Sequence, residues 1–333
     1  MAKFERCFPS ELQEALKKPP LYTECLLRDI CSGEVFPAFR NNKIDFYHKG
    51  GRLFEFDGNE FTTHVKYASV LHGYGKPYIK ENLLDYGNVR LIRDFKEGYT
   101  RIKENCSLHS GLEASEVARI YTESSFSKEP LKIVASQKSD AIELKEEEKP
   151  HNQSFPKFDQ NVVVLDIEVS LESLDRDCKD EIPDEGKKGK KETELDILDL
   201  LLFNKSERCL QFFEAKHYNH DYIQENKEGK HPELLAQLER YNKQIAERRK
   251  DILEAYRVYT RTARELFEKD LPDPEVLKED VVLLIFGFDG EQKRRLDEML
   301  LKSGNLNGVY YRSIGDISTQ TAADVWNNIK LGE

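Results

Sequence analysis

Apolar and polar positions along this chain change period several times, and each change predicts an element. In NVVVLDIEVSL (161–171), Leu165, Ile167 and Val169 alternate with Asp166, Glu168 and Ser170, which is the period of a β-strand. Two more short apolar runs follow. Asp199 leads into Leu200–Phe203, polar Asn204-Lys205-Ser206-Glu207 intervenes, and Leu210–Phe213 leads into Glu214-Ala215-Lys216. That pattern predicts a β-hairpin, with Glu214 and Lys216 on one face and Ala215 on the other. From Glu233 to Lys269 the period lengthens. Leu234, Leu238, Tyr241, Ile245, Ile252, Tyr256, Tyr259, Ala263 and Leu266 form the stripe of a long helix or of two stacked ones, ended by Pro272 and Pro274. The strand Val281–Phe288, the helix Gly290–Lys302, the strand Gly308–Ile314 and the helix Thr319–Ile329 complete an α/β pattern.

The first third reads differently. Residues 10–30 are helical around a break at Pro19-Pro20. Four aromatic runs, EVFPAFR, KIDFYHK, RLFEFD and FTTHVKY, are separated by turn residues such as Gly50-Gly51 and Asp57-Gly58-Asn59. They predict a small antiparallel sheet from Glu34 to Tyr67. Its aromatics (Phe46, Tyr47, Phe54, Phe56, Phe61, Tyr67) are candidates for base stacking, although packing one face of a sheet explains them as well and is the favoured reading. Helices are expected over 88–107 and 111–122, and one more strand over Leu131–Ala135. Two polar stretches, 136–160 with Glu146-Glu147-Glu148 and 172–192 with Lys187-Lys188-Gly189-Lys190-Lys191, read as a linker and a loop.

Composition narrows the functional classes. The 333 residues carry a net charge of −11, with 38% hydrophobic and 34% charged residues, so the whole molecule has no basic field to draw it onto nucleic acid. A local exception exists. From Arg240 to Arg264, eight basic residues (Arg240, Lys243, Arg248, Arg249, Lys250, Arg257, Arg261, Arg264) face three acids (Glu247, Asp251, Glu254), a balance of eight minus three, or +5. Arg240, Lys243, Arg248, Arg249 and Arg257 are therefore candidates for a DNA-backbone track, with a solvated helix face as the alternative. Six cysteines without paired spacing fit a reducing cytoplasm and neither a disulfide framework nor a zinc finger. No apolar run is long enough to span a bilayer.

The candidate chemistry lies in the hairpin. A carboxylate and an ammonium on one face, beside Asp199 on the neighbouring strand, can hold a divalent metal and stabilise an anion. Asp196 is the alternative to Asp199, three residues away and on the other face of an ideal strand. Glu168 is an acid in an apolar strand, costly unless exposed or paired. It reads either as a further metal ligand or as part of a wet face. His217 and His220 follow Lys216, but without a third ligand nearby a polar turn is a better reading than zinc.

Asp199 followed by Glu214-Ala215-Lys216, with Gln237-x-x-x-Tyr241 downstream, resembles the PD-(D/E)xK nuclease superfamily, and the Gln-x-x-x-Tyr helix resembles its RecB-like branch. The resemblance spans about 162–314. It implies a restriction-endonuclease-like mixed sheet flanked by helices over 161–333. Residues 1–130 would then form an N-terminal α+β accessory region, 131–160 a linker, and 110–122 the first helix of the core, where Glu113 or Glu116 would match a glutamate of that family, an exposed helix acid being the simpler reading. It further implies magnesium or manganese held by Asp199, Glu214 and the Ala215 carbonyl, with Lys216 orienting water or neutralising charge. Gln237 and Tyr241, stacked on one helix face, would brace the site. The expected function is a DNA-hydrolysing enzyme of repair or phage restriction, and cutting both strands with one site per chain favours a homodimer. The rival expectation is a non-catalytic nucleic-acid-binding or protein-assembly module on the same fold.

Overall fold

In the computed structural model of the chain, residues 4–70, 78–80, 85–86, 89–124, 161–171, 196–223, 232–301 and 304–332 are described. The expected strand over 131–135, the linker and the lysine-rich loop lie outside them. The N-terminal helical stretch divides as expected at the prolines, into α1 (Ser10–Leu16), a π-helical turn (Leu21–Leu26) and α2 (Leu27–Ser32). Then β1 (Phe36–Arg40), β2 (Lys43–His48), β3 (Gly51–Phe56) and β4 (Phe61–His64) form an antiparallel meander, extended by β5 (Tyr78–Lys80). Val65–Ala68 turns into a short helix, α3, instead of prolonging the fourth strand, because the His64 ring accepts a hydrogen bond from the Lys66 amide and caps it. The six sheet aromatics are all buried, so they serve the core.

A two-stranded ribbon, β6 (Asp85–Tyr86) and β7 (Val89–Arg90), precedes α4 (Tyr99–His109). The helix expected from residue 88 therefore starts eleven residues later. The ribbon takes up Val89–Arg90, and only at Asp94 does a capped turn begin that leads into the helix: its side chain accepts from the Glu97 amide and its carbonyl from Gly98. After α4 comes α5 (Leu112–Ser124), close to the expected helix.

The second sheet contains β8 (Val162–Leu171), β9 (Asp196–Asn204), β10 (Cys209–His217), β11 (Val276–Leu277), β12 (Val282–Phe286), β13 (Tyr310–Ile314) and β14 (Lys330–Leu331). Its order is β14-β13-β12-β10-β9-β8, with β11 pairing the start of β10. Pairing is antiparallel from β8 to β10 and parallel from β10 through β12 to β13. The long helix is continuous: α6 (Pro232–Phe267) runs 36 residues and connects β10 to its parallel neighbours. Helix α7 (Gly290–Leu296) and α8 (Ala322–Asn327) complete the chain. The fold is thus mixed α/β, with a large sheet between helices and a small antiparallel sheet before it. No helix among the described residues is long and apolar enough to cross a membrane.

Strand alternation sends neighbouring side chains into two cores. Leu201, Phe203, Leu210, Phe212, Leu283 and Ile285 enter one, shared with α6 and most of the N-terminal sheet, whose Phe36, Ala38 and Tyr47 go to the other. Leu200, Leu202, Phe213, Ala215, Leu284 and Phe286 enter the other, closed by α5 and α8. The first core is continuous across the two sheets: the Phe39 ring of β1 lies 4.8 Å from Tyr259 and 6.0 Å from Phe267 of α6.

Candidate active site

Two neighbouring strands break their alternation at the same place. On β8, Ile167 enters the α5 side and Val169 the α6 side; on β9, Leu200 enters the α5 side and Leu198 the α6 side. In an undistorted strand, positions two apart share a face. The register pairs Ile167 with Leu200 and Val169 with Leu198, which brackets Glu168 against Asp199. At Glu168 the backbone has φ 49°, the left-handed region that a non-glycine residue seldom occupies. The β9–β10 ladder also ends here, at the Leu200–Phe213 pair. Just beyond it the Asp199 carboxylate accepts a 2.7 Å hydrogen bond from the Ala215 amide. Opposed residues of paired strands share a face, so the distortion turns Glu168 and Asp199 together toward α5, whose residues line the same pocket.

Lys216 Nζ lies 2.5 Å from Glu214 Oε1 and 3.8 Å from Glu113 Oε1. Both Glu214 and Lys216 are buried. The other Glu113 oxygen accepts from the His217 amide at 2.8 Å, so the first turn of α5 is fastened to the end of β10. Glu113 is therefore the α5 acid at the site, and sequence periodicity had no means of showing it, since the contact spans 104 positions. A small pocket opens between Glu113, Ala114, Val117 and Tyr121 of α5, Ile167 and Glu168 of β8, Asp199, and Gly50 in the β2–β3 turn. Gly50 has φ 81°, and a Cβ there would fall 2.5 Å from the Ala114 backbone, so only glycine lets the N-terminal sheet come this close.

The electrostatics follow from four carboxyls around one lysine. Burial, and then the Asp199 charge, push Glu168 up to about 7. Burial also raises Asp199, to about 6, against the opposing pull of Lys216. Glu214 rises well above the ordinary range, from burial and then from Asp199. Burial disfavours the Lys216 ammonium, but Glu214 and Asp199 outweigh it and raise that group as well. The site is short of positive charge, and buried Glu214 Oε2 meets no hydrogen-bond donor among the described residues, with the Asp199 carboxylate as its neighbour. Those two features suit a cation. Among the described residues no three His, Cys, Asp or Glu side chains stand together at ligand spacing. The fit therefore rests on Asp199, Glu214 and main-chain oxygen, with Glu168 felt through its charge.

The Gln-x-x-x-Tyr pair meets as its spacing predicts. Gln237 Nε2 donates to the Tyr241 hydroxyl at 2.8 Å, and that hydroxyl donates to the Ile197 carbonyl at 3.0 Å, two residues before Asp199. Asp196 faces α6 instead, accepting from Gln244 Nε2 and lying 3.4 Å from Arg240, which separates it from the Glu214–Lys216 face. His217 and His220 each accept a backbone N–H two residues ahead, at Asn219 and Tyr222, so they form the polar turn.

The expected backbone track is not a continuous surface. Arg248 is buried, because it lies seven residues after Tyr241 and so returns to the inward face of α6. Arg257 donates to the Pro274 carbonyl and pairs with Glu254. Arg240 and Arg249 lie 3.4 Å from Asp196 and Glu279 respectively, leaving Lys243 as the exposed candidate with no such acid among the described residues. Comparison with protein-family models, curated proteins and solved structures finds no match to this chain.

Proposed function

We propose that the chain is a metal-dependent nuclease hydrolysing phosphodiester bonds of DNA. The observation that carries this reading is the meeting of Asp199, Glu214 and Lys216 at one buried, cation-poor point, where one Glu214 oxygen has no donor among the described residues. Asp199, Glu214 and the Ala215 carbonyl are the oxygens that would hold magnesium or manganese, hard cations that prefer such donors. A bound ion of this kind supplies a water of lowered pKa and stabilises charge on phosphate. The chain's own groups do the rest. Lys216, held charged by Glu214, orients the attacking water or offsets negative charge on the phosphate oxygens. Glu113 fixes the β10 end that carries Lys216. Gln237 and Tyr241 tie α6 to β9 beside Asp199. Repair or phage restriction is the proposed setting, with 1–130 contributing to substrate choice and a homodimer for double-strand cutting.

A second reading is a non-catalytic nucleic-acid-binding or assembly module; the arginines of α6 that are engaged within the chain, and so less available to phosphate, favour its assembly form. Cleavage of linear and covalently closed circular DNA with magnesium or manganese, for wild type and Lys216→Ala, separates the two. Metal-dependent cutting that the variant loses supports the nuclease. No cutting, together with no metal-induced rise in melting temperature, supports the module.

A further inference from the structure

We infer that Arg40 of the N-terminal sheet is a positioning residue for the candidate site, holding β8 in the strained conformation that presents Glu168 to Asp199. The inference rests on the nuclease reading and extends it to a residue far outside the motif. Arg40 Nη2 donates to the Ile167 carbonyl at 2.8 Å, and that carbonyl belongs to the peptide group leading into Glu168. Arg40 Nη1 donates to Asp166 Oδ1 at 2.7 Å, and the same oxygen accepts from the Ile167 amide at 2.9 Å. Both peptide groups flanking Ile167 are thus clamped by one guanidinium and the carboxylate it binds. The next residue is the one at φ 49°. A non-glycine residue there is strained and persists only where its surroundings over-determine it. Arg40 supplies that constraint, and its Nε is in turn held by Asp45 Oδ2 at 3.3 Å.

The planar fork is essential to this role, because an ammonium cannot serve the carbonyl and the carboxylate in two fixed directions. Arg6 provides an internal comparison. It binds the other oxygen of the same carboxylate, Asp166 Oδ2 at 3.0 Å, but its described bonds include none to Ile167. A purely structural role would tie any loss of kcat to the loss of melting temperature in the same way for both arginines.

The test is steady-state DNA cleavage with manganese, and the melting temperature, for wild type, Arg40→Lys, Arg6→Lys and Asp45→Asn. Arg40→Lys should lower kcat about tenfold or more, as misplacement of a group by about 1 Å does, with KM little changed. Arg6→Lys should change kcat less than about threefold at a similar loss of melting temperature, since it leaves the Ile167 peptide clamped. Asp45→Asn, which loosens the anchor and keeps Arg40, should give an intermediate drop in kcat and decides the matter if Arg40→Lys does not fold. Equal kcat losses in the two lysine variants, or unchanged kcat in Asp45→Asn, overturn the inference while the nuclease reading stands. A wild type that neither cuts nor is stabilised by manganese refutes the nuclease reading, and the inference falls with it.

Discussion

Replacing Asp166 by alanine should be among the most damaging single changes available outside the candidate site. Its side chain is fully buried in β8 and accepts from Arg6 Nε at 3.0 Å, Arg40 Nη1 at 2.7 Å, the Tyr256 hydroxyl at 2.9 Å and the Ile167 amide. Hydrogen bonds to a charged group contribute about 1.5–3 kcal/mol each, but four on one carboxylate are not additive. The dominant cost is electrostatic. Alanine leaves the Arg6 guanidinium, whose side chain is 7% exposed, without its carboxylate, while Arg40 keeps Asp45. Breaking a buried pair from one side costs about 3–5 kcal/mol, a large share of the roughly 5–15 kcal/mol that holds a domain folded. Urea unfolding followed by far-ultraviolet circular dichroism reads this directly. Asp166→Asn keeps the shape and one accepting oxygen but sets an amide donor against two of the four donors and removes the charge, so it should lose about as much. Adding Arg6→Met to Asp166→Ala should recover about 1–2 kcal/mol, because the orphaned cation is gone. A loss below about 1 kcal/mol for Asp166→Ala, or strict additivity in the double variant, refutes the picture of a charged hub.

Four further outcomes are expected. Lys216→Ala should abolish metal-dependent cleavage while the circular dichroism spectrum stays native; full activity would remove Lys216 from the mechanism. Between pH 4.5 and about 7 the native Glu168 holds a proton that the unfolded chain releases, so its stabilising contribution is complete below that window and lost as pH rises through it. At about 1.4 kcal/mol per pKa unit the loss is roughly 3 kcal/mol, and Glu168→Gln should flatten this part of the stability–pH curve; an unchanged slope contradicts it. Tyr241→Phe should cost about 1 kcal/mol in urea unfolding, since the Ile197 carbonyl and the Gln237 amide, in part-buried bonds, both lose their partner. Gly287→Ala should lower the melting temperature, because the residue has φ 77° and a Cβ there would sit 2.2 Å from His217 Nε2; a variant as stable as wild type would show that the turn after β12 can relax.

Much of the sheet and of α6 was legible because alternation and the 3.6-residue stripe are local signals. The strands β8, β9, β10 and β12, the continuity of the aromatic sheet and the Gln237–Tyr241 contact all follow from spacing within a few residues. What was not legible depends on partners far away. The α6 arginines look like a free basic track until Asp196, Glu279 and Pro274 arrive beside them. Asp166 shows in sequence only as an acid in an apolar strand; its arginines lie 126 and 160 positions away. The double break in alternation at Glu168 and Asp199 leaves no mark in either strand alone, because two strands must be paired before it can be seen.

Helix α6 also bears on how this chain can be divided. At 1.5 Å per residue its 36 residues reach about 54 Å. Its first turns hold Gln237 and Tyr241 against β9, whereas its later turns are covered by N-terminal residues: Phe4 lies 5.9 Å from Tyr256, Phe39 packs on Tyr259 and Phe267, and the Tyr259 hydroxyl donates to the Pro37 carbonyl. A fragment beginning at residue 161 would keep the entire Asp-Glu-Lys motif and yet expose this aromatic flank to water, inviting self-association. Expression trials that trim the chain to its motif would then yield aggregates, and an inactive fragment would say nothing about the chemistry of the motif it carries.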